Sequence, residues 1–238
     1  RIASGYLAAH FEWQTVFVVF SVVNFVAVIS FVLLLPPSRH FTKKKHNFKE
    51  QLTSMIDHFT NPILAFDFLI GMILHFSFYG IFTYLSFRLH EPPYELSVAQ
   101  IGYFYLVYIT GIIFSPFFGK WTAKLGLLNL LRFNTVIQIV GIIFTAMSNL
   151  TLMIIGLLLY TGGFFTAHSA ASSWISTKAV EGKGAATSLY LVAYYTGASL
   201  GAYILGWIWE QWGWSGITAM VMFHLLAIFL LCNGLQRA

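Results

Sequence analysis

Charge is what this sequence has least of. Only 9% of its 238 residues are Asp, Glu, Lys or Arg, while 58% are hydrophobic; a soluble domain carries about 25% charged residues. That imbalance excludes a water-soluble globule, which has no way to hide so much apolar surface from solvent. Cysteine is almost missing: Cys232 stands alone in an apolar run, so a disulfide framework within the chain is excluded. No glycine-rich phosphate loop is present, so an ATP-driven engine is not encoded in this stretch. The eight histidines never fall at i, i+3 or i, i+4 within one apolar run, which leaves no metal-ligand spacing. No cofactor is expected, and nothing in the residues calls for an enzyme.

What the chain does have is long uncharged runs. Residues 14–35 (QTVFVVFSVVNFVAVISFVLLL) contain no charge, and a helix needs about 20 such residues to cross the hydrocarbon core at about 1.5 Å rise per residue. Similar runs follow at 63–87, 97–118, 133–148, 151–176, 185–208 and 215–235. These runs are continuous, not alternating as barrel strands are, so the fold class is an all-α membrane protein with seven crossings. Between 133–148 and 151–176 only Ser148, Asn149 and Leu150 mark a turn. The chain opens without Met, and residues 1–10 read as the last turns of a further crossing, as expected of a piece of a longer protein.

The few charges are sorted. Eleven of the thirteen Lys and Arg (Arg39, Lys43, Lys44, Lys45, Lys49, Lys120, Lys124, Arg132, Lys178, Lys183 and Arg237) fall at alternate ends of the runs. The opposite ends carry Glu12, Glu91, Glu95 and Glu210, with Arg88 the one base nearby. Such sorting is the positive-inside pattern, which predicts that the basic ends and the C-terminus are cytoplasmic. It also accounts for the net charge of +5 without a nucleic-acid partner. The longest loop, 38–61, is basic, and its Phe48, Leu52, Met55, Ile56 and Phe59 recur at helical spacing. An amphipathic helix on the inner leaflet fits this pattern, and so does a flexible linker.

One phrase occurs twice. GYLAAHFEW starts at Gly5 and GWIWEQWGW at Gly206, each at an outer turn. The unit between them is six crossings in the same orientation, a parallel repeat of the kind some transporters use. With that spacing and the long central loop, the sequence resembles the major facilitator superfamily. GKWTAKLG (119–126) is similar to the family's short-loop signature, matched at Gly119, Lys124 and Gly126, with Ala123 in place of the acid. LPPSRHF (35–41), FRLHEPPYELS (87–97), FTAHSAASSW (165–174) and ATSLYLVAYYTGASLG (186–201) resemble a bacterial inner-membrane branch of drug:proton antiporters and arabinose-efflux-like exporters. The Gly-Pro-x-x-Gly-Gly element of such antiporters is not kept, since Arg1 stands at its proline position.

The resemblance implies a six-helix C-terminal bundle (62–238), a cytoplasmic basic linker (37–61) and the end of the N-terminal bundle (1–36). It implies proton-coupled efflux of small organic molecules, drug or sugar-like, by alternating access. The partners would be a small-molecule substrate, protons, membrane lipid and the missing N-terminal half, at the inner (plasma) membrane. A polytopic membrane enzyme and a non-transporting sensor or scaffold on the same fold remain alternatives.

Polar residues within crossings are the candidate site, because lipid gives them no partner. Thr161, Phe165, His168 and Ser172 share one helical face, with Ser169 and Ser173 beside it. Asp67, Gly71, His75 and Tyr79 share another; Asp67 and His75 are two turns apart and are the proton-coupling candidates, Asp67 standing either buried or at the interface. Tyr194 and Gln138 complete the substrate-binding candidates, with Asn134 a further one. Gly197 and Gly201 form a small-x-x-x-small pair for close helix packing.

Overall fold

The computed structural model describes residues 2–36, 48–179 and 182–237, and among these every regular element is helical. The helices are α1 (Ile2–His10), α2 (Trp13–Leu34), α3 (Phe48–Thr60), α4 (Pro62–His90), α5 (Val98–Phe104), α6 (Ile109–Phe114), α7 (Phe118–Leu125), α8 (Leu127–Thr145), α9 (Leu150–Lys178) and α10 (Lys183–Arg237). Residues 37–47, which include Arg39 and Lys43 to Lys45, lie outside the described residues. Met55, Ile56 and Phe59 do fall on a helix, α3.

Local chemistry sets the helix starts. The Asn61 side chain accepts from the backbone N–H of Ile63 at 3.0 Å and of Leu64 at 3.4 Å, and Pro62 occupies the first helical turn of α4. Ser97 and Gln100 close a reciprocal capping box on α5. Asn149 accepts from Leu152 N–H at 3.1 Å and so starts α9. The turn expected at 148–150 is therefore real, and it has a hydrogen-bonded cause.

Two expectations need correcting. The crossing expected as one helix over 97–118 is instead a chain of short helices, α5, α6 and α7, joined by 3₁₀ turns at Tyr105–Tyr108 and Ser115–Phe117. Pro116 lies in the second turn, where its missing N–H interrupts the ladder. The run expected at 133–148 begins earlier, at Leu127, directly after Gly126. Gly126 has φ 76°, a conformation that side chains resist, so glycine permits this abrupt link between α7 and α8. As a result Arg132 lies inside α8 and not at its end; it is half-buried and donates to the Cys232 carbonyl at 3.1 Å.

Among the described residues five helices are long and apolar enough to cross a membrane. One of them, α10, makes two crossings. Its 55 residues would extend about 80 Å as one rod, but Gly213 is non-helical at φ 58°, ψ −147°. Phe76 shows that the chain doubles back there. Its carbonyl lies against Gly201 on the limb before Gly213, while its ring meets the His224 ring, on the limb after it, at 4.5 Å. Trp214 then anchors the return limb by donating to the Thr145 carbonyl at 2.8 Å. With the segmented stretch at 98–125, the described residues of 62–237 run back and forth through the bundle in six helical passes. The repeated phrase breaks at matching places too: Glu12 and Gly213, each just before a Trp, are the residues at which one helix stops and the next begins.

The core lies among α4, α9, α10 and α8. α2 contributes nothing to it: none of its residues is buried, and its exposed surface is almost wholly Val, Phe, Ile and Leu. α1 touches the bundle at Gly5, which faces the Val98 carbonyl and Gly102 of α5.

Candidate functional site

The site begins with a seam of glycines. α4 and the first limb of α10 run parallel and so close that a Cβ on Gly197 would overlap the Met72 carbonyl, and one on Gly201 the Phe76 carbonyl. On the other wall, a Cβ on Gly80 would overlap Leu205. Two cross-helix hydrogen bonds follow from this approach. His75 Nδ1 lies 3.1 Å from the Tyr194 carbonyl, and the Tyr84 hydroxyl donates to the Ala202 carbonyl at 2.6 Å. Both reach backbone groups that a wider spacing would put out of range.

On this seam sits a cluster of rings. His75 stacks on Tyr194 with centroids 3.6 Å apart and planes at 20°. The other side of Tyr194 meets His168 of α9 at 4.5 Å, so the tyrosine ring lies between two imidazoles. His168 Nδ1 is 3.0 Å from the Tyr190 hydroxyl. Phe164, one turn from His168, stacks on Phe78 at 3.7 Å and closes the inner side. The outer side is open: Tyr79 and Tyr195, 42% and 61% exposed, each present an edge contact to His75. His75 itself is only 8% exposed. Stacked and edge-on ring pairs each contribute about 0.5–1.5 kcal/mol beyond burial, so the arrangement is held together by its rings, with two imidazoles and the tyrosine hydroxyls as its polar groups.

Three crossings far apart in sequence thus bring together His75, Tyr79, His168 and Tyr194. They do not bring in Gln138 or Thr161. Gln138 is fully buried, donates back to the Asn134 carbonyl at 3.3 Å and packs on Gly163, at the α8–α9 interface. Asn134 bonds its own helix at the Leu130 carbonyl. Thr161 is fully buried, and its hydroxyl has no hydrogen-bond partner among the described residues. Ser172 is half-buried, and Ser169 donates to the Phe165 carbonyl of its own helix at 2.9 Å. Phe165 points away from His168 toward Gly111 and Tyr108, so the expected single face of α9 is split between two neighbours.

Asp67 lies near the start of α4 but is packed inside the bundle. It is 1% exposed, and neither carboxyl oxygen has a hydrogen-bond partner among the described residues. It does not reach His75: the ring of Tyr190 covers the intervening Gly71, whose absent Cβ makes the space. Arg88 lies over the Tyr94 ring at 5.1 Å. In the short-loop signature, Lys124 is exposed at the end of α7 and Gly126 makes the link to α8; Gly119 lies in α7. The residue that sequence reasoning underrated is Tyr190. Its i, i+4 relation to Tyr194 was visible, but its hydroxyl partner is on another helix, and no local spacing points there.

The comparisons with known proteins agree with this architecture. The family model described as Major Facilitator Superfamily matches residues 1–202. An uncharacterized MFS-type transporter, YybF, of Bacillus subtilis is 37% identical over the whole chain, which covers 59% of that protein. Inner membrane transport protein YnfM of Escherichia coli is 34% identical over the whole chain, covering 57% of its length. A bicyclomycin resistance protein homolog of Haemophilus influenzae is 27% identical over 85% of the chain and 53% of its own length. The chain therefore spans somewhat more than half of the curated relatives it matches.

Proposed function

Since the chain belongs to the major facilitator superfamily and is a multi-pass membrane protein, we propose that it supplies the second bundle of a secondary transporter. Residues 62–238 form that bundle, 37–61 the linker, and 1–36 the end of the first bundle. The apolar, unburied surface of α2 supports that division, because a helix so bare belongs against lipid or against helices of the first half. Two bundles rocking around a shared site would carry a small organic molecule across by alternating access. Efflux driven by the proton gradient is the finer reading, and the relative with a bicyclomycin resistance name favours an organic, drug-like solute.

The observation that carries this reading is the ring cluster. His75, His168 and Tyr194 meet deep in the bundle, with Tyr79 and Tyr195 exposed at its mouth. Such a surface suits a flat or apolar solute that stacks on rings and takes one or two hydrogen bonds from imidazole. The test is flux by the purified full-length protein in liposomes under an imposed pH gradient, across a panel of dyes and sugars. Gradient-linked movement of a dye is expected. Absence of flux for every solute, with turnover of a lipid instead, would replace the transporter with a membrane enzyme.

Orientation follows from charge. With the basic ends inside, the C-terminus is cytoplasmic and the membrane is the inner, or plasma, membrane. In the full-length protein with no other reactive thiol, Lys44→Cys is expected to react only after the membrane is permeabilised, and Glu95→Cys in intact cells. The reverse pattern would invert the topology.

A further inference from the structure

Asp67 has no packing explanation. A carboxyl group buried in an apolar bundle without a partner costs several kcal/mol, and acids inside crossings are usually kept for work. Its titratable surroundings among the described residues are few. From α10 come Tyr190, whose ring packs on Gly71 one turn from Asp67, and the buried Cys232. From α8 comes Arg132, whose guanidinium bonds the Cys232 carbonyl at 3.1 Å and Asn129 Oδ1 at 3.2 Å. From α3, Asp57 and His58 reach the same end of the bundle.

Tyr190 connects this acid to the ring cluster. Its side chain lies on Gly71, one turn along α4 from Asp67; a Cβ there would overlap the ring edge and stand 2.9 Å from Cζ, the carbon that bears the hydroxyl. That hydroxyl is 3.0 Å from His168 Nδ1. A phenol has one proton to donate. His168 in its Nε2–H tautomer offers Nδ1 as acceptor. A charged carboxylate is a stronger acceptor than a neutral imidazole. Two acceptors therefore compete for one donor; the ring packs on the bare Cα of Gly71, and because the hydroxyl lies on the ring axis, passing from one acceptor to the other takes a swing of the whole side chain about its Cα–Cβ bond.

We propose that Tyr190 is a single-donor switch: its hydroxyl serves His168 while Asp67 is protonated and turns to Asp67 when that carboxyl is charged. The inference rests on the proton-coupled reading above and gives it a mechanism. Covalent bookkeeping is simple, since the proton that leaves Asp67 goes to water at the basic end and the phenol keeps its own. Release at Asp67 then frees His168, whose ring touches Tyr194 and, through it, His75. The charge state of an acid near one end of the bundle is thereby transmitted to the rings deeper within. Tyr190 is a positioning residue in this scheme and need not touch substrate.

The experiment is nitrogen NMR of 15N-histidine in the full-length protein, reconstituted in lipid vesicles and titrated with pH. In the wild type the His168 Nδ1 signal is expected to step between hydrogen-bonded and free positions, in addition to the imidazole's own titration. Asp67→Asn is expected to hold the bonded position and abolish the extra step. Tyr190→Phe, which keeps the ring on Gly71 and removes only the hydroxyl, is expected to hold the free position. Superimposable profiles in wild type and both variants would overturn the switch. The measurement needs neither substrate nor gradient. A switch without flux would therefore sink only the transport reading, and pH-driven flux with superimposable profiles would sink only the switch.

Discussion

Gly197→Ala is expected to destabilise the bundle severely, although helix propensity alone predicts the opposite. In an exposed helix interior alanine is favoured over glycine by about 1 kcal/mol. At Gly197 the added methyl would overlap the Met72 carbonyl oxygen and stand 2.8 Å from its carbon. Those are backbone atoms of α4, which cannot rotate aside as a side-chain tip can. The helices must separate, and the bonds from His75 to the Tyr194 carbonyl and from Tyr84 to the Ala202 carbonyl stretch with them. Overpacking of this kind costs about 1–3 kcal/mol or more, a fall in melting temperature on the order of 10 °C at about 2–4 °C per kcal/mol. Gly184→Ala is the matched control: it is exposed in the first turn of α10 with nothing within 4 Å, so it is expected to be neutral or slightly stabilising. Thermal unfolding of the two purified full-length variants, followed side by side in detergent, checks the sign. A stable Gly197→Ala protein would mean that the seam is not as close as described.

That contrast marks what sequence can carry. Gly197 and Gly201 are recognisable as a packing pair because their spacing is local, and Gly213 sits where a charge-poor run must turn. The helix caps at Asn61, Ser97 and Asn149 are equally local. The broken crossing at 98–125 was not legible, because its run of apolar residues looks the same whether the backbone is α or 3₁₀; Pro116 was the one printed hint. Arg132 was assigned to a helix end because hydrophobicity resumes after it, whereas its guanidinium finds a carbonyl on α10 and so can enter the bundle. The site divides in the same way. Periodicity grouped Asp67 with His75 and Thr161 with His168, since steps of three or four residues stay on one helical face. It had no means of knowing that Gly71 admits a tyrosine between the first pair, or that Phe165 and His168 turn to different neighbours. Those facts depend on which helices meet, which is long-range information.

His168→Ala is expected to reduce transport by about tenfold or more, and Ser173→Ala to leave it near the wild-type rate. The two residues lie in the same stretch of α9 and are both half-buried, so exposure alone does not separate them. Their partners do. The His168 imidazole bonds the Tyr190 hydroxyl at 3.0 Å and meets the Tyr194 ring at 4.5 Å. Removing it leaves a buried phenol without that partner, at about 1–3 kcal/mol, and opens a gap beside Tyr194. Even the lower figure, if it falls on the moving step, approaches the 1.4 kcal/mol that corresponds to tenfold in rate. No ring depends on Ser173. His168→Gln separates folding from function, because the amide fills part of the gap and can still bond Tyr190, so its melting temperature is expected to return toward wild type. Flux that stays low in His168→Gln places the role in the imidazole itself. Flux that recovers places it in holding Tyr190. Normal flux in His168→Ala removes this histidine from the transport site and leaves His75, with its ring stacked on Tyr194 and its Nδ1 against the same residue's carbonyl, as the imidazole to test next.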